Sequence, residues 1–220
     1  MRSILNVDLN TTCKCPMTVV VLGDTHIPSD MDRIPDDTID RIRDLTPSII
    51  FHTGDIEKPN VIQELNLIAP VFAVRGNRDV LYWNHYPAIC NFTFQGVKIS
   101  LFHGQGDFWH YLRLKIISIF RTINPLYLLD QIPEEAKDAQ ILIHGHTHFP
   151  FLWNDDQRVL LNPGSLFIEN PDKHFPEPSF AVIRWFEPQR ISIEIFYKTT
   201  EWHSYCNKEL DRKIFCSEER

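Results

Sequence analysis

Seven residues able to bind a metal ion, Asp24, His26, Asp55, Asn77, His103, His146 and His148, stand beside or within a few positions of a glycine in this chain. They are grouped as Gly23-Asp24-Thr25-His26, Gly54-Asp55, Gly76-Asn77, His103-Gly104 and Gly145-His146-Thr147-His148. Imidazole, carboxylate and amide oxygen without thiolate suit Mn, Zn, Fe, Co or Ni, with Mg less favoured by several histidines. Seven donors are too many for one tetrahedral ion, whereas two divalent ions roughly 3.5–4 Å apart, with one carboxylate between them, would use them all. Asp, Asn and Gly are also ordinary turn residues, so each position taken alone has a plainer explanation; histidine at four of the seven does not.

The elements that must position these residues are legible as short apolar runs. Met17–Asp24, Ser48–Asp55, Val71–Asn77, Val97–Gly104, Gln140–His148 and Arg158–Ser165 are predicted strands. The first five deliver their donors at the carboxyl end, where open α/β sheets place ligands, so five strand ends point at one crevice. Glycine there lets the chain leave the strand sharply and leaves room for an ion or a phosphate. Between the first two strands, "PDDTIDRIRDL" puts Ile39, Ile42 and Leu45 on one helical face behind a Pro and two Asp, a helix-entry signal. "PNVIQELNL" predicts a shorter helix, and "SFAVIRWFEPQRISIEIFYK" a hairpin turning at Glu187 to Arg190. The chain thus starts as βαβαβ and ends antiparallel, which predicts an α/β fold with two mixed sheets packed face to face and helices outside.

At 220 residues with 43% hydrophobic content, one domain with one sizeable core is expected. A net charge of -7 argues against an extended nucleic-acid surface, so phosphate would be met by a local site. Five cysteines without a CxxC pair read as reduced thiols, and Cys13-Lys14-Cys15 alone lacks the ligands for a structural metal. No signal-peptide pattern and no span of about 20 apolar residues is evident, so the expected location is cytoplasmic. Three parts stand outside the regular pattern: residues 1–16, an apolar insertion over 105–138, and a polar tail over 199–220.

The order GDTH, GD, GN, HG, GHTH, NPGS resembles the calcineurin-like metallophosphoesterase superfamily, and within it the small bacterial and archaeal phosphodiesterase branch to which Vps29 is also related. The resemblance runs from about Met17 to Lys198. It implies a four-layer α/β/β/α sandwich. It also implies that Asp24, His26 and His148 hold one ion, that Asn77, His103 and His146 hold the other, and that Asp55 bridges them. His144, the third imidazole of "HGHTH", and His52 are not ligands in the family pattern and read as hydrogen-bonded histidines at strand ends. His85, His110 and His203 read as surface residues.

The implied activity is a phosphoesterase, most narrowly a phosphodiesterase, in which water activated between two ions, Mn first among them, attacks a small phosphate ester. Asp55, Asn77 and Arg78 are the residues expected at the reacting centre. Relatives with GNHE or GNHD carry a histidine near the leaving group, and the small phosphodiesterases often a small or thiol residue; this chain has Gly76-Asn77-Arg78-Asp79. Arginine keeps its charge and donates no proton usefully, so Arg78 is expected to bind phosphate charge, unless it turns outward to an acid such as Asp79. After Asn162-Pro163-Gly164-Ser165 no arginine follows before Arg184, leaving Lys173 and His174 as candidate substrate contacts. The apolar stretch 108–129 offers core packing, a lid, a contact with a membrane surface, or a surface for a second copy or a partner. A Vps29-like scaffold with little or no catalysis is the alternative function, and the substrate itself is open.

Overall fold

The structure, a computed structural model, describes residues 3–79, 81, 85–104, 132–155, 157–167, 177–188 and 190–211. The strands are β1 (Ile4–Asp8), β2 (Met17–Leu22), β3 (Ile49–His52), β4 (Val71–Ala73), β5 (Ile89–Phe94) and β6 (Val97–Phe102), followed by β7 (Ile141–Ile143), β8 (Phe151–Asn154), β9 (Val159–Asn162), β10 (Ser179–Glu187), β11 (Arg190–Lys198) and β12 (Trp202–Asp211). Helix α1 (Asp36–Asp44) lies between β2 and β3, and α2 (Pro59–Asn66) between β3 and β4.

Among the described residues twelve strands form two six-stranded sheets, ordered β1-β5-β6-β7-β9-β8 and β12-β11-β10-β2-β3-β4. Both are mixed. β2, β3 and β4 run parallel, as do β6, β7 and β9, while β10, β11 and β12 are antiparallel. The parallel trios bring their carboxyl ends to the same side of their sheets, and those are the ends that carry the candidate ligands.

Strand periodicity explains the layering. In β2, Val19 and Val21 point between the sheets, whereas Val20 and Leu22 face the helices. A strand covered on both faces reads as an unbroken apolar run, which "TVVVL" does. The space between the sheets is filled by alternate residues of both, with Phe51 stacked on Phe92 at 4.4 Å and Phe94 edge-on to Trp185 at 5.6 Å. On the far side of the second sheet, Ile39 and Ile42 of α1 and Val61 and Leu65 of α2 close a separate core. Asp36 and Asp37 in the first turn of α1 and Arg41 and Arg43 in its last turn oppose the helix dipole. The outer face of the first sheet is covered, among the described residues, by Ile132, Ala136 and Ala139 around a single 3₁₀ turn at Glu134–Ala136.

The six strands predicted from sequence, both helices and the hairpin are present. The sequence reading omitted β1, β5, β8 and β12. β5 was visible as alternation, since Cys90, Phe92 and Phe94 enter the core between the sheets. β1 and β12 arise from segments set aside as terminal extensions; each is an edge strand, β1 parallel to β5 and β12 antiparallel to β11. The described cysteines Cys13, Cys15, Cys90 and Cys206 are free thiols, and burial pushes that of Cys90 up to about 12. Among the described residues no helix is long and apolar enough to cross a membrane. Residues 105–131 and 212–220, with His110 and the stretch 108–129, lie outside the described residues.

Candidate metal centre

Each loop that leaves a ligand-bearing strand is pinned to its neighbour by backbone bonds. Asp24 N donates to Gly54 O at 2.9 Å, His26 N to Asp55 O at 3.0 Å, and Gly145 N to His103 O at 3.1 Å. Ser165 Oγ donates to Asp24 O at 2.8 Å, attaching the turn after β9 to the loop after β2. The loops consequently lie close enough that a Cβ at position 76 would sit 2.0 Å from Asp55 Oδ1, and one at position 54 would sit 2.7 Å from Gly76 N. Gly54 is required on a second ground, its φ of +105°.

The candidate ligands adopt left-handed backbone as well. Asp24, His26, Asp55, His146 and His148 have φ of 49°, 48°, 56°, 71° and 58°. Such conformations cost on the order of 1–3 kcal/mol each in a non-glycine residue and persist where the surroundings enforce them, typically at functional sites.

The side chains converge. One ligand atom from each of Asp24, His26, Asp55 and His148 lies within 4.8 Å of the others. His148 Nε2 is 3.4 Å from Asp24 Oδ1, and His26 Nε2 is 3.3 Å from Asp55 Oδ2. On the other side of Asp55, His103 Nε2 stands 3.5 Å from the same Oδ2. Asn77 Oδ1 lies 3.1 Å from His103 Nε2 and 3.0 Å from His146 Nδ1. The structure thus brings all seven sequence-designated residues to one cluster, with Asp55 Oδ2 between its halves. Asp24, His26, Asp55 and His103 are buried, while Asn77, His146 and His148 are partly exposed and line its open side.

The buried carboxylates and imidazoles of the cluster shift one another's proton affinities. Burial favours the neutral form of Asp55, yet the charge and contact of His103 hold its carboxyl far below the usual range. For His103 burial favours loss of the proton, but Asp55 overrides it and raises the imidazole to about 9. Asp24 is likewise held down, its burial outweighed by His148. Burial and the charge of His103 push His146 down to about 3. His26 Nε2 is buried and has no hydrogen-bond partner among the described residues, although it faces two carboxylates. A nitrogen and carboxylate oxygens turned toward one another, inside a cradle of glycines, fit a divalent cation.

Several supporting residues were not singled out from sequence. Asp79 accepts backbone N–H bonds from Asp55, Ile56, Glu57 and Gly76 at 2.7–3.0 Å, joining the loops after β3 and β4. Burial, opposed by those bonds, raises its carboxyl. Thr53 O accepts from His103 Nδ1 at 2.8 Å and so turns Nε2 toward Asp55. Phe167 packs against His26 and His148, with ring centres 4.8 and 5.2 Å apart. The Asp79 signal was present as the acid of Gly76-Asn77-Arg78-Asp79, but its partners are backbone groups, which no side-chain pattern announces.

Arg78 pairs with acids, the second of the two orientations expected of it, but with Asp30 and Glu57 rather than Asp79. Its backbone N donates to Asp55 Oδ1 at 2.8 Å, while its guanidinium bonds Asp30 at 3.0 Å and Glu57 at 3.4 Å, at the rim of the cluster. Asp79, the suggested outward partner, is occupied by the main chain. His52 is buried, accepting from Gly54 N at Nδ1 and contacting Thr25 Oγ1 through Nε2, and burial lowers it to about 3. His144 is also buried, donates from Nδ1 to Gly145 O at 3.0 Å, and is lowered to about 4 by burial. His85 and His203 are exposed. Asn162, first residue of the "NPGS" turn, ties that turn to the ligand loop through Gly145 O and Thr147 Oγ1. Lys173 and His174 lie outside the described residues.

Comparison with known proteins agrees with this construction. Residues 17–185 match the family described as the calcineurin-like phosphoesterase superfamily domain. A protein of Methanothermobacter thermautotrophicus described as a probable metallophosphoesterase is 32% identical over 185 residues, covering 81% of this chain and 91% of its own. In fold, vacuolar protein sorting 29 (Vps29) of Cryptosporidium parvum superposes with a TM-score of 0.70 at 19% identity, covering 89% of this chain and 98% of its own. Vps29 of Entamoeba histolytica, solved as a zinc complex, superposes with a TM-score of 0.63 at 24% identity, over 89% of this chain and 99% of its own.

Proposed function

Since this chain belongs to the calcineurin-like phosphoesterase superfamily, we propose that it is a two-metal hydrolase of small phosphate esters, and more narrowly a phosphodiesterase. The observation that carries this reading is the packing of Asp24, His26, Asp55 and His148 within 4.8 Å, beside a second set of donors across Asp55 Oδ2. Asp24, His26 and His148 would hold one ion, Asn77, His103 and His146 the other, and Asp55 both. The donor set favours Mn, Zn, Fe, Co or Ni, and Mn is our first choice. Divalent ions bound there would supply Lewis-acid charge for the phosphoryl oxygens and a water acidified to near-neutral pH.

The chain's own contribution is order. Arg78 N constrains Oδ1 of Asp55 and His103 Nε2 faces its Oδ2, and Asp79 locks the loops after β3 and β4 so that neither carboxylate nor amide must reorganise during the reaction. Thr53 O holds the proton of His103 on Nδ1, leaving Nε2 for the centre. Arg78 supplies no proton to a leaving alkoxide, so esters with acidic leaving groups should react fastest.

The test is to strip the protein of metal, restore Mn, and assay an aryl phosphodiester beside an aryl phosphomonoester. Mn-dependent turnover that prefers the diester supports the reading; turnover indifferent to chelation sinks it, and a preference for the monoester sinks its narrower form. Rate should rise as the leaving group becomes more acidic across a diester series. The second reading, a Vps29-like interaction scaffold, is favoured by the fold likeness alone. It would be preferred if the protein bound metal tightly, turned over neither ester, and captured a partner or a second copy through residues 108–129.

A further inference from the structure

One carboxylate beside the cluster is used by none of the steps above. Asp30 follows His26 by four residues in a turn closed by Asp30 N donating to His26 O at 2.8 Å, so its side chain folds back onto the His26 ring. His26 Nδ1 stands 2.5 Å from Asp30 Oδ2. A carboxylate only accepts, so the proton of this bond belongs to Nδ1, and Nε2 is left as the lone-pair atom facing Asp24 and Asp55. The same Asp30 Oδ2 accepts from Arg78 Nη1 at 3.0 Å, and Arg78 Nη1 also reaches Glu57 Oε1 at 3.4 Å. Glu57 is anchored in turn by Ser29 N and Oγ at its other oxygen and by Asp79 at its backbone N.

We propose that Asp30 is a positioning residue that sets the tautomer and orientation of His26 for metal binding, and that Arg78 holds Asp30 in place. This rests on the metal-centre reading above. It gives the unusual Arg78 a task that needs a permanent cation with several donors, and no proton. With Asp30 absent, Nδ1 would lose its acceptor and the proton could move to Nε2, the atom the ion needs.

The experiment compares wild type with Asp30→Ala, Asp30→Asn and Arg78→Ala by competition of Zn or Mn against a chelating dye. A second readout is the ¹⁵N shifts of the His26 ring in metal-free protein at a pH where the ring is deprotonated. Asp30 lies on a partly exposed turn, and thermal unfolding checks that each variant is folded. We expect Asp30→Ala to weaken the ion held by His26 by about 10–100-fold and to move the ring toward the Nε2–H tautomer. Asp30→Asn, which keeps an acceptor oxygen, should recover most of both, and Arg78→Ala should weaken binding by a smaller factor. Wild-type affinity together with an unchanged tautomer in folded Asp30→Ala overturns the proposal and leaves the metal centre standing. If wild type itself takes up neither ion, the metal-centre reading falls, and the ring shifts still decide whether Asp30 sets the tautomer.

Discussion

The middle of the sandwich and its ligand-bearing end are made by the same strands under opposite rules. Between the sheets, Val19, Phe51, Phe92, Leu101 and Trp185 are fully enclosed among apolar neighbours, and each residue gains stability by leaving water. A few residues farther along the same chains, Asp24, Asp55 and His103 are almost as deeply buried, but they are charged and, at Asp24 and Asp55, left-handed in backbone. Burial there works against stability, and the loops persist because backbone bonds to Asp79, Gly54 and Asp55 enforce them. The core stabilises; the end uses some of that stability to hold donors ready for a cation.

The largest effect that separates the two regions should come from Asp55. Asp55→Ala is expected to lower the metal-dependent rate on the order of ten-thousandfold, while the unfolding midpoint of the metal-free protein moves little above about pH 9, where His103 has lost the proton that pairs with Asp55; steady-state assay and denaturant titration read both. Trp185→Ala should do the converse. Removing that side chain from the core is expected to cost roughly 3–5 kcal/mol in denaturant unfolding, with metal affinity per folded molecule unchanged. Parallel losses in both quantities for either variant would dissolve the distinction.

A smaller effect should appear in pH. His103 must release its proton to become a ligand, and Asp55 has raised it from 6.5 to about 9. Its proton therefore stabilises the metal-free fold fully below the ordinary imidazole value, and that contribution is lost as pH rises through about 9. Metal affinity moves the other way, rising by about tenfold per pH unit up to the same point and then levelling. Calorimetric metal titrations across that range check it, and an affinity flat in pH would show that no ligand proton is displaced.

The smallest expected change is at the opposite end of β6, where Gln95 and Gly96 have φ of 51° and 79° in the turn between β5 and β6. There the left-handed backbone serves only hairpin geometry. Gln95→Asn should stabilise the protein by about 0.5 kcal/mol, since asparagine accepts this conformation more readily. Metal affinity should not respond, in contrast to a backbone change at Asp24 or Asp55.

Sequence alone pointed to the candidate ligand residues and determined the strands that carry them. Apolar runs ending in Gly-Asp, Gly-Asn, His-Gly and Gly-His-Thr-His are local signals, and the parallel placement of such runs follows from alternating helices and strands. The hairpin at Glu187 to Arg190 and both helices were legible for the same reason, because caps and periodicity act over a few residues. Edge strands β1 and β12 were not, since an edge strand acquires its structure from the neighbour it pairs with. Tertiary structure alone decided that Asp55 Oδ2 lies between His26 and His103, that Asp79 is consumed by four backbone N–H groups, and that Arg78 reaches Asp30 and Glu57. Apart from the bond of Gly76 N to Asp79, those are contacts between loops tens of residues apart. Their partners are chosen by how two sheets pack and where backbone groups fall, and nothing in the neighbouring residues encodes that distance.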